Sequence, residues 1–553
     1  MKLAWTALAL ATLFAAGTRT QAPPFDLLIT NARIIDGTGG PAATGAVGVR
    51  DGRIAAVGNA SGAATRTIDA GGLVLAPGFI DSHSHSDYSL LVDGNAESKI
   101  RQGVTTEVIG ESGSVAPRRP GANDTETRGT GLRPDWTDFA GYFSRVERSK
   151  IAVNLLSYIG LGQVREAVMG NDNRAPTADE LARMTALVAG GMKQGAYGVA
   201  TGLIYSPNAY ATLDELVALS TPAAAAGGLY ASHLRYDGDK LKDGLDEAIA
   251  IGERAHIPVH IFHLKVTGQH NFGRMKEVIA LIEAAQKRGL EISADQYPYV
   301  ASSTGLSQTI PPWAHEGGGA RLAERLQDPE ARARIRREMD DPHPSWENRL
   351  VSAGTWHNVQ LASIGPAEYK KYEGQRVDDA AKAAGKDPYD FVFDLLIASR
   401  GNVGCVWYII DETDLTLAMR QPWVSIGSDG SALATSGPLR SGVPHPRNFG
   451  TFPRVLGRYV REQHVISLEQ AVHKMTGLPA SQLHFTDRGV IKPGFAADLV
   501  IFDPATVADR ATFTDPFQYP VGIDTVIVNG RVVLDHGRHT GEHPGVVIRG
   551  RGR

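Results

Sequence analysis

Across residues 77–484, short apolar runs alternate with Ala-rich stretches such as TADELARMTALVAGGMKQG and FGRMKEVIALIEAAQKRG. That rhythm is the mark of βα units closing a parallel sheet. Eight strand ends can be placed, near His85, Glu111, Tyr158, Tyr205, Arg235, Lys265, Tyr297 and Asp429. Eight such units predict an α/β fold, a (β/α)8 TIM barrel, whose chemistry sits at the C-terminal ends of the strands and in the loops after them.

The flanks have a different character. Residues 23–76 and 485–553 carry short β-branched runs split by Gly and Asn, among them DLLITNARIIDGTG, ADLVIFDP and DTVIVNGRVVLDHGR. VNG-RVV has the turn chemistry of a hairpin, and the two ends are expected to pair into one small β-sandwich. One interval inside the barrel is too long for a βα unit. Residues 302–355 are expected to form a helical insertion or lid. Residues 1–22 read as a secretory signal peptide: Lys2, an apolar run from Leu3 to Ala16, and a small-x-small site at Ala15 and Gly17. Export to a periplasm is the expected destination, with no membrane span left after the signal is removed.

Composition narrows the chemistry. Hydrophobic residues make up 42% and charged residues 21% of the 553, which argues against wholesale disorder and multiple membrane spans. A formal charge of −4 offers no basic field for a phosphate backbone, so nucleic acid is not an expected partner. Cys405 is the single cysteine, so any metal must be held by His and carboxylate.

Such residues recur at the strand ends. APGFIDSHSHSD places an apolar strand before His83 and His85, and strand alternation puts both imidazoles on one face. GVTTEVIGESG ends near Glu111, an anionic oxygen ligand suited to bridging two divalent ions. His233 in GLYASHLRYDG, His263 in IPVHIFHLKVTG and Asp429 in PWVSIGSDG occupy comparable places on strands five, six and eight. By parity Lys265 faces the site with His263, whereas His260 points to the opposite face as a structural histidine. Alone, a pair of loop histidines or a helix-capping Glu would look the same; the joint placement argues for a metal centre.

The stretches APGFIDSHSHSD, GVTTEVIGESG, GVATGLIYSP, ASHLRYDGD, HLKVTG, DQYPY, IGSDG, HPRNFGTFPRVLGRYVRE and MTGLPASQLHFTDRGVIKPGFAADLVIFDP run in order through residues 25–535. In these the chain resembles the N-acyl-D-amino acid deacylases, or D-aminoacylases, of the amidohydrolase superfamily. The resemblance implies a zinc-bearing barrel beside a small β-sandwich. It implies that His83 and His85 bind a first metal, His233 and His263 a second, and that Asp429, also at the metal, is the catalytic acid/base. Lys265 and Tyr297 match the family's substrate-polarising residues, and Arg447 in HPR matches its clamp for a substrate carboxylate. A planar guanidinium suits that bidentate task.

One departure falls in the centre of the site. Where the family keeps a cysteine ligand in a G-N-C-G context, this chain reads Gly110-Glu111-Ser112-Gly113. A serine hydroxyl is a poor zinc ligand, and strand four, AYGVATGLIY, has no lysine to be carboxylated. The bridging role therefore goes to Glu111, and a binuclear centre is expected, with zinc or another divalent ion. The implied reaction is hydrolysis of a small amide with a free carboxylate, an N-acyl-D-amino acid, by metal-activated water. Two rivals remain open at this stage, a dipeptidase acting on L-Xaa-D-Xaa, Xaa-Pro or similar dipeptides and a non-catalytic periplasmic binding protein on the same fold. Stereochemistry rests on the resemblance alone.

Overall fold

The computed structural model describes residues 25–119 and 130–550; the segment read as a signal peptide lies outside them. Both chain ends contribute to one nine-stranded sheet. The halves meet where Leu499–Phe502 runs antiparallel to Val74–Pro77. The predicted hairpin is present: Asn529 and Gly530 take φ of 47° and 78°, and Val528 pairs with Arg531 across them. Two successive positive φ values match the right-handed twist of the flanking strands. Leu27, Ile29, Val47, Val49, Leu499, Ile501 and Ile527 form the core of this sheet domain. Residues 541–550 leave the sheet and lie along the barrel, where Leu155 N donates to Val546 O and Ile548 N donates to Leu155 O.

The barrel strands are Phe79–Asp81, Val104–Ile109, Asn154–Ser157 continued by Ile159–Gly160, Gly198–Gly202, Leu229–His233, Val259–Ile261, Ile292–Gln296 and Val424–Ile426. Neighbouring strands pair in parallel. The ring closes between the first and eighth through their following loops, with a parallel bridge at Ser84 and Gly430 and Asp429 N donating to His83 O at 2.8 Å. The closure is thus made by the loops that carry His83, His85 and Asp429.

Helices cover the outside. Ala178–Lys193 begins at a capping box between Thr177 and Glu180 and buries Met184, Val188 and Met192, one turn apart, on one stripe. Inside, Ile80, Val108, Leu156, Tyr158, Ala231 and Phe262 pack together and floor the site. The Phe262 ring stacks on His83 with centroids 4.0 Å apart. No described helix is long and apolar enough to cross a membrane.

The excursion between strands seven and eight is larger than the expected 302–355. It runs from Tyr297 to Trp423 and builds a three-stranded antiparallel sheet from Ser302–Gly305, Val359–Ile364 and Val403–Trp407. Its core contains Leu306, Trp356, Leu361, Phe391, Leu396 and Trp407. The second half was indistinguishable in sequence from a further βα unit, because the helix Pro388–Ser399 followed by GCVW repeats that rhythm.

Candidate metal centre

Only His233 lies within its strand; His83, His85, Glu111, His263, Lys265, Tyr297 and Asp429 stand in the loops beyond, and Arg447 begins the helix Arg447–Arg454. The first strand ends at Asp81, two residues before His83, and the sixth at Ile261, two before His263. Strand alternation therefore does not aim His83 and His85, or His263 and Lys265, as the sequence reading supposed. Loop backbone does it instead: His263 and Asp429 sit at φ of 37° and 50°, a region that non-glycine residues enter only when their surroundings hold them there. His260 also departs from expectation. It is a structural histidine, but it joins the framework of the site: Nε2 donates to Asp295 Oδ2 at 2.9 Å and Nδ1 lies 2.9 Å from Ser293 Oγ, while Asp295 Oδ1 accepts from the backbone N of His263.

The donor atoms converge in two groups, His83 with His85, Glu111 and Asp429, and Glu111 with His233 and His263. Glu111 belongs to both. Its Oε2 is 2.8 Å from His83 Nε2 and 3.3 Å from His85 Nε2, and its Oε1 is 3.2 Å from His233 Nδ1. His233 Nδ1 stands 2.9 Å from His263 Nε2, and His85 Nε2 2.9 Å from Asp429 Oδ1. Ser112 lies outside both groups and accepts from Asn208 Nδ2.

Charge and burial suit cations here. Burial opposes the Glu111 charge, but His233, His83 and His85 outweigh it and hold the carboxyl well below its ordinary range. Burial likewise opposes Asp429, and Arg447 and His83 bring it down. Burial, then Lys265 and His233, keep His263 well below its usual value, so its lone pair is free near neutral pH. The buried Glu111 Oε1 has no hydrogen-bond partner among the described residues. Imidazole nitrogens and carboxylate oxygens sharing one central carboxylate fit a pair of zinc-like ions.

A buried network holds the two loops together. Lys99 Nζ donates to Asp81 Oδ2 at 2.7 Å, Ser428 Oγ at 2.8 Å and Gly430 O at 2.9 Å, and pairs with Glu107 Oε1 at 3.1 Å. Ser428 N donates to Asp81 Oδ1, and Ser84 and Ser86 donate to Glu107. Sequence reasoning missed it. The available signal was Glu107, a carboxylate inside the otherwise uncharged strand VTTEVI.

A cavity of about 380 Å3 opens over the donors. Arg447 Nη1 lies 2.8 Å from Asp429 Oδ2 and its guanidinium sits over the Tyr297 ring, 5.0 Å from the centroid. The Tyr297 hydroxyl is buried with no hydrogen-bond partner among the described residues. Burial pushes the phenol well above its ordinary value, so it stays a donor through the neutral range. Lys265 Nζ lies 2.8 Å from His263 Nδ1 and 2.9 Å from Asp237 Oδ2. Ser303, Thr304 and Arg349, from the expected insertion, and Ser363 and Gly404, from the part of the excursion beyond it, also line the cavity; none of the five was among the expected site residues.

An amidohydrolase family model matches residues 66–534. The chain is 38% identical over 540 residues to the D-aminoacylase of Alcaligenes xylosoxydans xylosoxydans, covering 96% of this chain and 99% of that protein. Among solved structures, it is similar to the N-acyl-D-glutamate deacylase of Bordetella bronchiseptica, complexed with zinc and a phosphonate mimic of the tetrahedral intermediate. That likeness has a TM-score of 0.81 and 34% identity, covering 95% of this chain and 100% of the other. A D-aminoacylase described as having a binuclear metal centre matches at TM-score 0.80 and 36% identity, over 95% of this chain and 99% of that one. The chain belongs to the amidohydrolase family, on its N-acyl-D-amino acid deacylase branch.

Proposed function

We propose that this amidohydrolase is a two-zinc deacylase that cleaves the amide bond of N-acyl-D-amino acids, or close amides with a free carboxylate. The observation that carries the reading is the place of Glu111 in both donor groups. His83, His85, Glu111 and Asp429 would hold one ion, and Glu111, His233 and His263 the other. Bound there, zinc would supply Lewis acidity, polarising a carbonyl and easing the ionisation of water near neutral pH.

The chain's own groups do the rest. Asp429, its carboxyl held low and therefore ionised, takes the proton of the attacking water and returns it to the leaving amine. Tyr297, a protonated and unpartnered phenol, donates to the carbonyl oxygen as charge builds on it. Arg447, beside Asp429 and over Tyr297, receives the substrate carboxylate at the reacting end of the cavity, with Lys265 as a second cation. The D configuration is supported by the relatives and by no contact in the site. The apolar leader of residues 1–22 supports export to the periplasm.

Zinc quantification combined with a screen of N-acetyl-D-amino acids, their L enantiomers and mixed dipeptides tests the reading. Two bound ions with turnover of N-acetyl-D-amino acids are expected. Protein that binds no zinc, or that releases only free amino acids from dipeptides, would overturn it.

A further inference from the structure

Asp237 belongs to neither donor group, yet three parts of the site meet on it. It follows strand five in HLRYDGD, four residues after His233, and is buried. Oδ2 lies 2.9 Å from Lys265 Nζ and accepts from Arg349 Nη2 at 3.1 Å; Oδ1 accepts from Arg349 Nη1 at 2.8 Å and from Thr267 Oγ1 at 2.9 Å. The same Oδ2 is 4.0 Å from His233 Nε2, a buried nitrogen with no hydrogen-bond partner among the described residues. Lys265 and Thr267 stand in the loop after strand six, and Arg349 begins the helix Arg349–Ala353 of the excursion. One carboxylate thus ties two barrel loops to the excursion.

We propose that Asp237 is a positioning residue, which orients His233 and Lys265 for the site, and that Arg349 is the anchor through which the excursion fixes Asp237. This rests on reading the site as a two-metal centre. With Nδ1 turned toward Glu111 and His263 and given to an ion there, the His233 proton would sit on Nε2, 4.0 Å from Asp237 Oδ2, where the carboxylate acts through its charge and not through a direct hydrogen bond. A carboxylate behind a ligating imidazole fixes its ring and strengthens it as a donor. Lys265 carries a flexible stem with a compact charge; His263 Nδ1 and O lie within its reach, and Asp237 is the counter-ion that completes its placement. Arg349 supplies what a lysine could not: two parallel bonds that set the plane of the carboxylate, made by a guanidinium that is itself buried.

The test uses the zinc-loaded enzyme and the variants Asp237→Asn, Arg349→Met and Arg349→Lys, with His233→Ala identifying the affected metal. Zinc affinity of each site is measured by chelator competition, alongside kcat, KM and thermal melting. Asp237→Asn and Arg349→Met should weaken the His233 site about 10- to 100-fold, the range known for such outer carboxylates. The other site should stay within about twofold, and KM should rise through Lys265. Arg349→Lys, which keeps the charge and loses the fork, should fall between. Unchanged affinities, equal weakening of both sites, or an Arg349→Lys enzyme with wild-type affinity and KM would each overturn the proposal. A wild-type enzyme that never binds a second ion would instead overturn the two-metal reading beneath it.

Discussion

Glu111 Oε2 stands 2.8 Å from His83 Nε2, close enough that one cation could be held by both. The other oxygen of the same carboxylate faces His233 across 3.2 Å. A residue shared in this way cannot be replaced by one that serves a single ion. Glu111→Ala and Glu111→Gln should therefore retain fewer than two zinc ions per chain. They should also lose on the order of 100-fold or more in kcat/KM, about 2.7 kcal/mol of transition-state stabilisation. Elemental analysis of the purified variants checks the first point. An alanine variant with two ions and full turnover would remove Glu111 from the bridge.

Asp429 differs from Glu111 in its expected role, and the two variants should separate. Its Oδ1 approaches His85 and its Oδ2 approaches Arg447, so it lies between the metal group and the cavity. Asp429→Asn keeps the size and one acceptor oxygen but takes no proton. Zinc should remain, held by His83, His85 and Glu111, while kcat falls about 10^2- to 10^4-fold. Metal content and single-turnover rates measured on one preparation would decide it.

The metal-bearing loops were legible because their residue types are rare at strand ends and recur on several strands. The reason for their orientation was not legible, since alternation applies within strands and His83, His85, His263 and Lys265 lie beyond them. His260 shows the same limit: parity counted through the loop set it apart from the site, yet it bonds Asp295, the carboxylate that also holds the backbone N of His263. Lys99 in ESKI reads as any helix-surface lysine; only the fold shows its ammonium enclosed by Asp81, Glu107 and Ser428. Arg349 stands in a segment with no motif, more than fifty residues past Tyr297, and only the return of the excursion over the barrel brings it to the cavity.

Arg447 should reveal itself in KM. Its guanidinium is buried between Asp429 and the Tyr297 ring, and a lysine there could neither lie flat on the ring nor bind a carboxylate through two parallel bonds. Hydrogen bonds to charged groups contribute about 1.5–3 kcal/mol, so Arg447→Lys should raise KM for an N-acyl amino acid roughly 10- to 100-fold. Zinc content should not change. A substrate analogue with its carboxylate converted to an amide should be nearly indifferent to the substitution, and equal losses on both substrates would argue against the clamp.

Glu347 offers a test of the excursion through pH. It is buried 3.6 Å from Arg349 and near Asp237, and burial with the Asp237 charge pushes it from an ordinary 4.5 up to about 7. Between those values the folded chain binds a proton that the unfolded chain has released. Stability from this group is therefore fully present below about 4.5 and falls as pH rises toward 7. Glu347→Gln imitates the protonated form at every pH and should abolish that slope. From pH 5 to pH 7.5 the wild type should lose on the order of 1–3 kcal/mol more than Glu347→Gln, by the linkage of about 1.4 kcal/mol per pKa unit. Zinc binding also depends on pH and Glu347 lies 3.6 Å from Arg349, so the comparison is made on metal-free protein, where that linkage is removed from both curves. Denaturant unfolding of the two at both pH values measures the difference directly. Parallel stability curves would mean that Glu347 is ionised in the fold, compensated by Arg349, and that the polar cluster under the excursion is charged throughout.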